Sequence, residues 1–215
     1  MALASSGASR ALFAALRILA AVATLLYPLL VWRGLLAGSP RRVALVLLCV
    51  LVPAAALRWF TAQDGSRPAP ATQLRELAPL PLVSIFGLVL AALLDDLGLM
   101  LLVPVAINAV LLLAFGSTLR PGSTPMIERF ARLQVPDLDA DQRAWCRLWT
   151  WIWCAFFVAN GAVAAALAFA APLSWWAFYT GLLSYLLIGA LFASEWLLRR
   201  RRFPEARSPR ESEGA

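Results

Sequence analysis

The sequence predicts an all-α, polytopic integral membrane protein with about six transmembrane helices and one short amphipathic helix at the cytoplasmic interface. Three observations predict this class. Of the 215 residues, 61% are hydrophobic, and the mean hydropathy is +0.75, so the chain is more apolar than soluble domains are. The apolar residues fall into six long runs. Charged residues make up only 14% of the chain and cluster between those runs.

Each apolar run is long enough to cross a hydrocarbon core of about 30 Å at about 1.5 Å per residue, with the second run near the lower limit. Pro53 and Pro104 predict kinks in the second and fourth runs. The six runs cover residues 11–32, 43–60, 77–94, 97–115, 144–170 and 175–198. We expect residues 1–203 to form a single transmembrane domain and the charged tail 204–215 to be disordered.

Arginine sets the expected orientation, because all 19 basic residues are arginine. The cluster 199–202 ends the sixth run and places the C-terminus in the cytoplasm, in a bacterial inner membrane, by the positive-inside rule. Six spans then put the N-terminus and the long loop 116–144 on the same side, with the pair 95–96 outside. Three arginines oppose this orientation because their loop lies outside: Arg33, Arg41 and Arg42.

Composition also limits the chemistry. The chain has no histidine, which excludes His-dependent acyl transfer, His-dependent zinc hydrolysis and His-ligated haem. Cys49, Cys146 and Cys154 form no C-x-x-C pair and are predicted to be small buried hydrophobic residues. The sequence predicts no cofactor and no metal. The high pI reflects arginine beside apolar runs, so we expect a membrane lipid as partner and no nucleic acid.

The long polar loop contains a predicted short amphipathic helix, from Pro125 to Gln134. Thr124 is the predicted N-cap, with proline at the first helical position. Glu128 and Arg132 form an i,i+4 pair on the charged face. The predicted apolar face contains Met126, Ile127, Phe130 and Leu133, and the charged face contains Glu128, Arg129 and Arg132.

Two interpretations of this helix remain open. It either lies in the membrane interface as a structural element, or it forms a cationic platform that meets an anionic head group or an acidic carrier protein. The candidate contact residues of the platform are Arg120, Thr124, Glu128, Arg129 and Arg132. In that second case, hydroxyl groups of the loop such as that of Thr124 add hydrogen bonds to a phosphate held by Arg120 and Arg129.

The end of the loop favours a helix cap over a metal site. Asp139 and Gln142 have capping-box spacing and are predicted to open the fifth run. Residues 137–139, Asp-Leu-Asp, also match the D-x-D metal motif of sugar transferases, but so short a match is weak. In the sixth run, Gly189 and Ala193 have the small-xxx-small spacing that predicts a close helix contact.

Three polar residues lie within the apolar runs. Asn108 and Asn160 are near mid-membrane, where they are predicted to bond across helices or to line a ligand or ion path. Glu195 lies four residues before Arg199. It is predicted to form a snorkelling pair with that arginine, the alternative being an acid catalyst.

Aromatic residues gather at both ends of the last two runs. They are Trp145, Trp149, Trp151, Trp153, Phe156 and Phe157 at one end and Trp175, Trp176 and Tyr179 at the other. Aromatic belts at the two membrane interfaces explain this distribution. An aromatic wall that stacks on a planar or polyene ligand is the alternative.

The C-terminal half resembles an uncharacterised bacterial inner-membrane protein family that accompanies gene clusters for aryl-polyene and xanthomonadin-type pigments. The stretches that carry the resemblance are FGSTLRPGSTPMIERFARL, WCRLWTWIWCAFFVANGAVAA and WWAFYTGLLSYLLIGALFASEWLLRRRRF. The resemblance implies neighbouring acyl carrier proteins, ketosynthases and acyltransferases that build an aryl-polyene chain. The family has no assigned reaction.

The leading hypothesis is a non-catalytic or accessory inner-membrane component of aryl-polyene-type lipid or pigment assembly or transfer. Apolar helices would hold the polyene tail, and Arg120, Arg129 and Arg132 would meet a head group or a carrier protein. One alternative is a lipid-linked acyl or glycosyl transferase that uses Glu128 or Glu195 as its base. Another is a scaffold that recruits acyl carrier protein or other pigment-cluster enzymes through the loop.

Overall fold

The computed structural model describes residues 40–63, 75–77 and 79–203, and all regular structure within them is helical. The first apolar run, 11–32, and the tail 204–215 lie outside the described residues. The elements are α1 (Pro40–Gln63), a 3-10 turn (Arg75–Leu77), α2 (Pro79–Leu94), α3 (Leu97–Leu101), α4 (Val103–Ser117), α5 (Met126–Arg132), α6 (Ala140–Ala170), α7 (Leu173–Phe178), a π-helical turn (Tyr179–Leu183) and α8 (Ser184–Arg202). The all-α class is thus confirmed for the described part of the chain.

Prolines and caps explain where several helices begin. Pro53 lies inside α1, which continues through it. Pro104 instead lies at the start of α4, so the fourth run is two helices, α3 and α4, that meet at Leu102. A proline at a helix start removes no hydrogen bond, because the first N–H groups have no partner within the helix. The predicted capping box opens α6, since Asp139 and Gln142 each bond the other's backbone N–H.

The long helices pack in a chain of neighbours, α1 on α2, α2 on α4 and α4 on α6, with the short helix α5 against α6. One end of this bundle, the aspartate end, contains the start of α1 and the turn of Asp95 and Asp96. There the backbone N–H of Arg41 donates to the Asp95 carboxylate at 2.8 Å. The two aspartates therefore lie at the same end as Arg41 and Arg42, the arginines that opposed the predicted orientation.

The opposite end, the arginine-rich end, contains α5, the start of α6 and the cluster Arg199–Arg202 at the end of α8. The buried residues near it form an aromatic cluster in which Phe115 contacts Phe157 edge-on, with ring centroids 5.1 Å apart. Cys146 and Cys154 are buried there as predicted. The prediction for Cys49 was wrong, because that residue is exposed on α1.

Among the described residues, two helical segments are long and apolar enough to cross a membrane: α6, and the segment Leu173–Arg202 made by α7, the π-helical turn and α8. Helices α2 and α4 are apolar but shorter. In length and composition, the described part of the chain is therefore compatible with membrane association. Within the 18-residue apolar stretch of Leu173–Arg202, only 6% of the residues are buried.

Candidate functional site

The start of α5 is capped by two distant threonines. The Met126 N–H donates to the Thr118 hydroxyl at 2.9 Å, and the Ile127 N–H donates to the Thr150 hydroxyl at 3.3 Å. Both hydroxyls are buried and donate in turn to backbone carbonyls. The predicted N-cap was therefore wrong: the N-cap residue of α5 is Pro125, which makes no side-chain cap bond, and not Thr124.

The predicted faces of α5 were wrong in two positions. Glu128, placed on the charged face, is only 5% exposed, whereas Leu133, placed on the apolar face, is 42% exposed. The cause is the contact of α5 with α6, which covers Glu128. Its carboxylate accepts two hydrogen bonds from Arg132, at 2.9 and 2.6 Å, so the predicted i,i+4 pair is present, with a buried Glu128 and a partly exposed Arg132.

Arg129 connects three segments of the arginine-rich end. Its Nη1 donates to Glu76 of the 3-10 turn at 2.7 Å, and its Nε donates to the Thr124 carbonyl at 3.0 Å. Because Arg129 and Arg132 each face a carboxylate, the described helix α5 does not present them as free cations. Arg120 is exposed in the preceding turn.

A half-open groove of about 900 Å³ lies between α5, the start of α6 and the end of α8. Sequence analysis did not find it, because it forms from three segments that are distant in the chain. Its aromatic wall consists of Phe130, Trp145, Trp153, Phe192, Trp196 and Phe203. The volume is near the upper end of the range of about 300–1,000 Å³ for small-molecule sites, and an aromatic wall is typical of such sites.

Arginines border this groove. Arg199 and Arg200 line it, and the Arg200 guanidinium lies 4.9 Å from the centroid of the Trp196 ring. Arg202 stacks over Trp145 at 5.5 Å. Cation–π contacts of this kind hold a guanidinium group in place while leaving its N–H groups free to donate.

Glu195 also lines the groove and pairs with Arg199, as the sequence predicts. This pair is not a surface pair, since the two side chains are 13% and 32% exposed. Three buried N–H groups of groove residues have no hydrogen-bond partner within the described part of the chain: the Arg199 Nε and the indole nitrogens of Trp145 and Trp153. Buried donors without partners are rare in native proteins, so such groups point to a missing partner such as a ligand or a water.

Asn108 and Asn160 belong to one hydrogen-bonded chain across three helical segments. Asn160 Nδ2 donates to Asn108 Oδ1 at 3.1 Å, and the Tyr179 hydroxyl donates to Asn160 Oδ1 at 2.9 Å. Asn108 Nδ2 donates to the Pro104 carbonyl at 2.8 Å. All the polar atoms named here are thereby engaged, and the chain ties α4 to α6 and to the π-helical turn.

A glycine permits this contact. A Cβ on Gly161 would lie 3.1 Å from the Asn108 Cβ, so α4 and α6 approach closely at this level. The predicted close contact at Gly189 is absent from the described residues, because a Cβ there would meet nothing within 4 Å. Within the described residues, the close helix contact is thus made at Gly161 of α6 and not at Gly189.

The described residues contain no group of three or more His, Cys, Asp and Glu side chains that could hold a metal ion. Asp139 of the D-x-D match serves as the α6 cap. Chemically, the groove can bind an anion at its arginines and apolar surface along its rings. Comparisons with protein-family models, with curated proteins and with solved structures find no match for this chain.

Proposed function

We propose that this chain is a multi-pass protein of the bacterial inner membrane, with both termini in the cytoplasm. It acts as a binding component, not a catalyst, in the assembly or transfer of a lipid or pigment. The resemblance noted above makes an aryl-polyene-type molecule the proposed cargo. The single observation that carries the binding role is the aromatic groove with arginines at its border.

Exposed apolar side chains support the membrane placement. Each long helix exposes large apolar residues between the two polar ends of the bundle. Examples are Val46 on α1, Phe86 and Leu93 on α2, Leu113 on α4, Trp151 and Phe169 on α6, and Leu186 and Phe192 on α8. A soluble monomer rarely exposes so much contiguous apolar surface, whereas lipid solvates it.

The contacts of the two candidate bases, Glu128 and Glu195, favour a binding role over a transferase. Glu128 accepts two hydrogen bonds from Arg132, and Glu195 pairs with Arg199. Each carboxylate already contacts an arginine, and this ion pairing favours a structural role for both residues over that of a base. The transferase alternative therefore ranks below a binding role.

Negative charge in the loop 116–144 argues against the scaffold alternative. The exposed residues Asp137, Asp139 and Asp141 lie between α5 and the first turn of α6. They would repel an acidic carrier protein at that part of the loop. A lipid is thus the better supported partner.

Cysteine labelling tests the proposed topology. In a background with Cys49, Cys146 and Cys154 changed to alanine, Ser174→Cys and Asp137→Cys place one thiol at each end of the bundle. A membrane-impermeant maleimide should label Ser174→Cys in intact cells and Asp137→Cys only after permeabilisation. Equal labelling of both variants in intact cells would refute the multi-pass arrangement.

Gene deletion tests the proposed role. We expect loss of the mature lipid or pigment and accumulation of its precursor, restored by the wild-type gene. Complementation with Glu128→Gln separates the alternatives, since a binding role tolerates this change and a base at Glu128 does not. An unchanged lipid and pigment profile in the deletion strain would contradict the proposed role.

A further inference from the structure

The groove at the arginine-rich end combines two chemistries within one volume. Arg199 and Arg200 lie on the last turns of α8, and six aromatic rings line the rest of the groove. Molecules that match both parts carry an anionic group joined to an apolar body. The lining residues restrict both the charge and the shape of such a molecule.

The charges of the lining residues match a monoanion. Two guanidinium groups face one carboxylate, that of Glu195, which leaves one positive charge. The Arg199 Nε has no hydrogen-bond partner although Arg199 already contacts Glu195 through its Nη2. A planar carboxylate suits a guanidinium edge, because its two oxygens accept parallel hydrogen bonds.

The rest of the groove matches one apolar chain. The Trp153 and Phe192 rings contact each other at an angle of 55°, with centroids 4.6 Å apart, and Phe130 of α5 adds a ring from the third segment. Ala193, a small residue of α8 that also lines the groove, lies next to Phe192 in the chain. Flat ring faces pack well against an extended or conjugated chain.

We propose that this groove binds a long-chain carboxylate, with the carboxylate at Arg199 and Arg200 and the chain along Trp153 and Phe192. This inference rests on the proposed function and names the ligand class of that same site. Glu195 is the internal competitor of the ligand, because it occupies part of the Arg199 guanidinium in the empty groove.

Energy transfer from tryptophan to a conjugated tetraene fatty acid tests the proposal. The full-length protein is placed in nanodiscs of zwitterionic phosphatidylcholine, at a mildly alkaline pH that ionises the acid. We expect saturable quenching of tryptophan emission, because Trp145, Trp153 and Trp196 line the groove. The methyl ester of the same acid should bind about tenfold more weakly, since it lacks the charge that the arginines recognise.

Variants of the charged residues in the groove should change the affinity for the acid in opposite directions. Glu195→Gln should tighten binding of the acid several-fold, because it frees Arg199 from its internal carboxylate. The double variant Glu195→Gln/Arg199→Gln should weaken binding about tenfold relative to Glu195→Gln, because it removes one of the two guanidinium groups that receive the carboxylate and leaves Arg200 alone. Arg201→Gln is the matched control, since Arg201 is exposed on the same helix and does not line the groove.

A chain-blocking variant locates the tail. Ala193→Phe should abolish saturable quenching, because the added ring fills the space beside Phe192. Leu197→Phe, at an exposed position of α8 that is not part of the groove, should bind as the wild type does. Thermal unfolding midpoints for every variant separate a blocked groove from a misfolded protein.

Three results would contradict the proposal. Quenching that is equal for the acid and its ester, or insensitive to Ala193→Phe, would place the probe in the surrounding bilayer and overturn the proposal. Displacement of the bound acid by phosphatidylglycerol at equal concentration would make a phospholipid the occupant instead. Binding that appears only after removal of residues 204–215 would assign the groove to that segment. None of these results alters the labelling or deletion tests of the proposed function.

Discussion

At the scale of single residues, hydroxyl groups far apart in the sequence decide where α5 begins. Thr118 and Thr150 accept the first N–H groups of the helix, and both are buried between α4, α5 and α6. The sequence contained a plausible local cap, Thr124, but the N-cap position is occupied by Pro125. Local spacing cannot rank a nearby cap against a tertiary one, because the competing partner lies on another helix.

Removal of these hydroxyls should destabilise the fold. Thr118→Val and Thr150→Val each leave a buried N–H without its acceptor, at a cost of about 1–3 kcal/mol. Thr124→Val is the control and should change the free energy of unfolding by less than about 0.5 kcal/mol. Unfolding of the purified protein in mixed micelles measures the difference, and equal effects at all three positions would contradict tertiary capping.

The pair of Glu128 and Arg132 makes a second prediction at this scale. Arg132→Ala leaves a buried carboxylate without this partner, and we expect a loss of about 2 kcal/mol because Arg132 itself is partly exposed. Adding Glu128→Gln to Arg132→Ala should recover most of that loss, since no buried charge then remains. Arg120→Ala, at an exposed site of the same end, is the control. A double variant no more stable than the single one would disprove the argument.

At the scale of elements, small and polar residues set how closely α4 and α6 approach. Gly161 lets the Asn108 side chain lie against the α6 backbone, and Asn160 then completes the hydrogen-bonded chain to Tyr179. The sequence predicts that the two asparagines bond across helices, which the geometry confirms. It does not predict Tyr179 as the third member, because the π-helical turn that places this residue has no recognised sequence signal.

A pair of glycine substitutions tests this contact. Gly161→Leu should destabilise the protein by about 3 kcal/mol, because the side chain must displace Asn108 and separate the helices. Gly189→Leu should be nearly neutral, since nothing among the described residues lies within 4 Å of its Cβ position. Unfolding in mixed micelles compares the two variants. A larger loss at Gly189 would show that α8 makes a close contact after all.

At the scale of the whole molecule, the distribution of apolar surface is the main property. Long helices expose apolar side chains along their length, and charges collect at two ends, with Asp95 and Asp96 at one and Arg199–Arg202 at the other. Two segments of the described part of the chain meet the length and composition of a membrane span. The proposed six spans add the first run, α1 and the shorter helices α2 and α4 to these two.

Extraction from cell membranes tests this property. We expect the protein to remain in the membrane pellet after an alkaline carbonate wash and to become soluble only in detergent, because its apolar surface needs lipid or detergent around it. A peripheral protein of the same host is the control and should enter the wash. Recovery of this chain in the carbonate supernatant would contradict integral membrane insertion.

The sequence by itself determined the helical class, the positions of the apolar segments, the α6 capping box and the pairs of Glu128 with Arg132 and Glu195 with Arg199. These features depend on neighbours within about four residues, for which periodicity and spacing are sufficient. Only the tertiary structure decided the burial of Glu128, the contact of Arg129 with Glu76 and the groove between α5, α6 and α8. Each of these depends on which helices pack together, and that choice follows from the combined burial of many side chains instead of any local pattern.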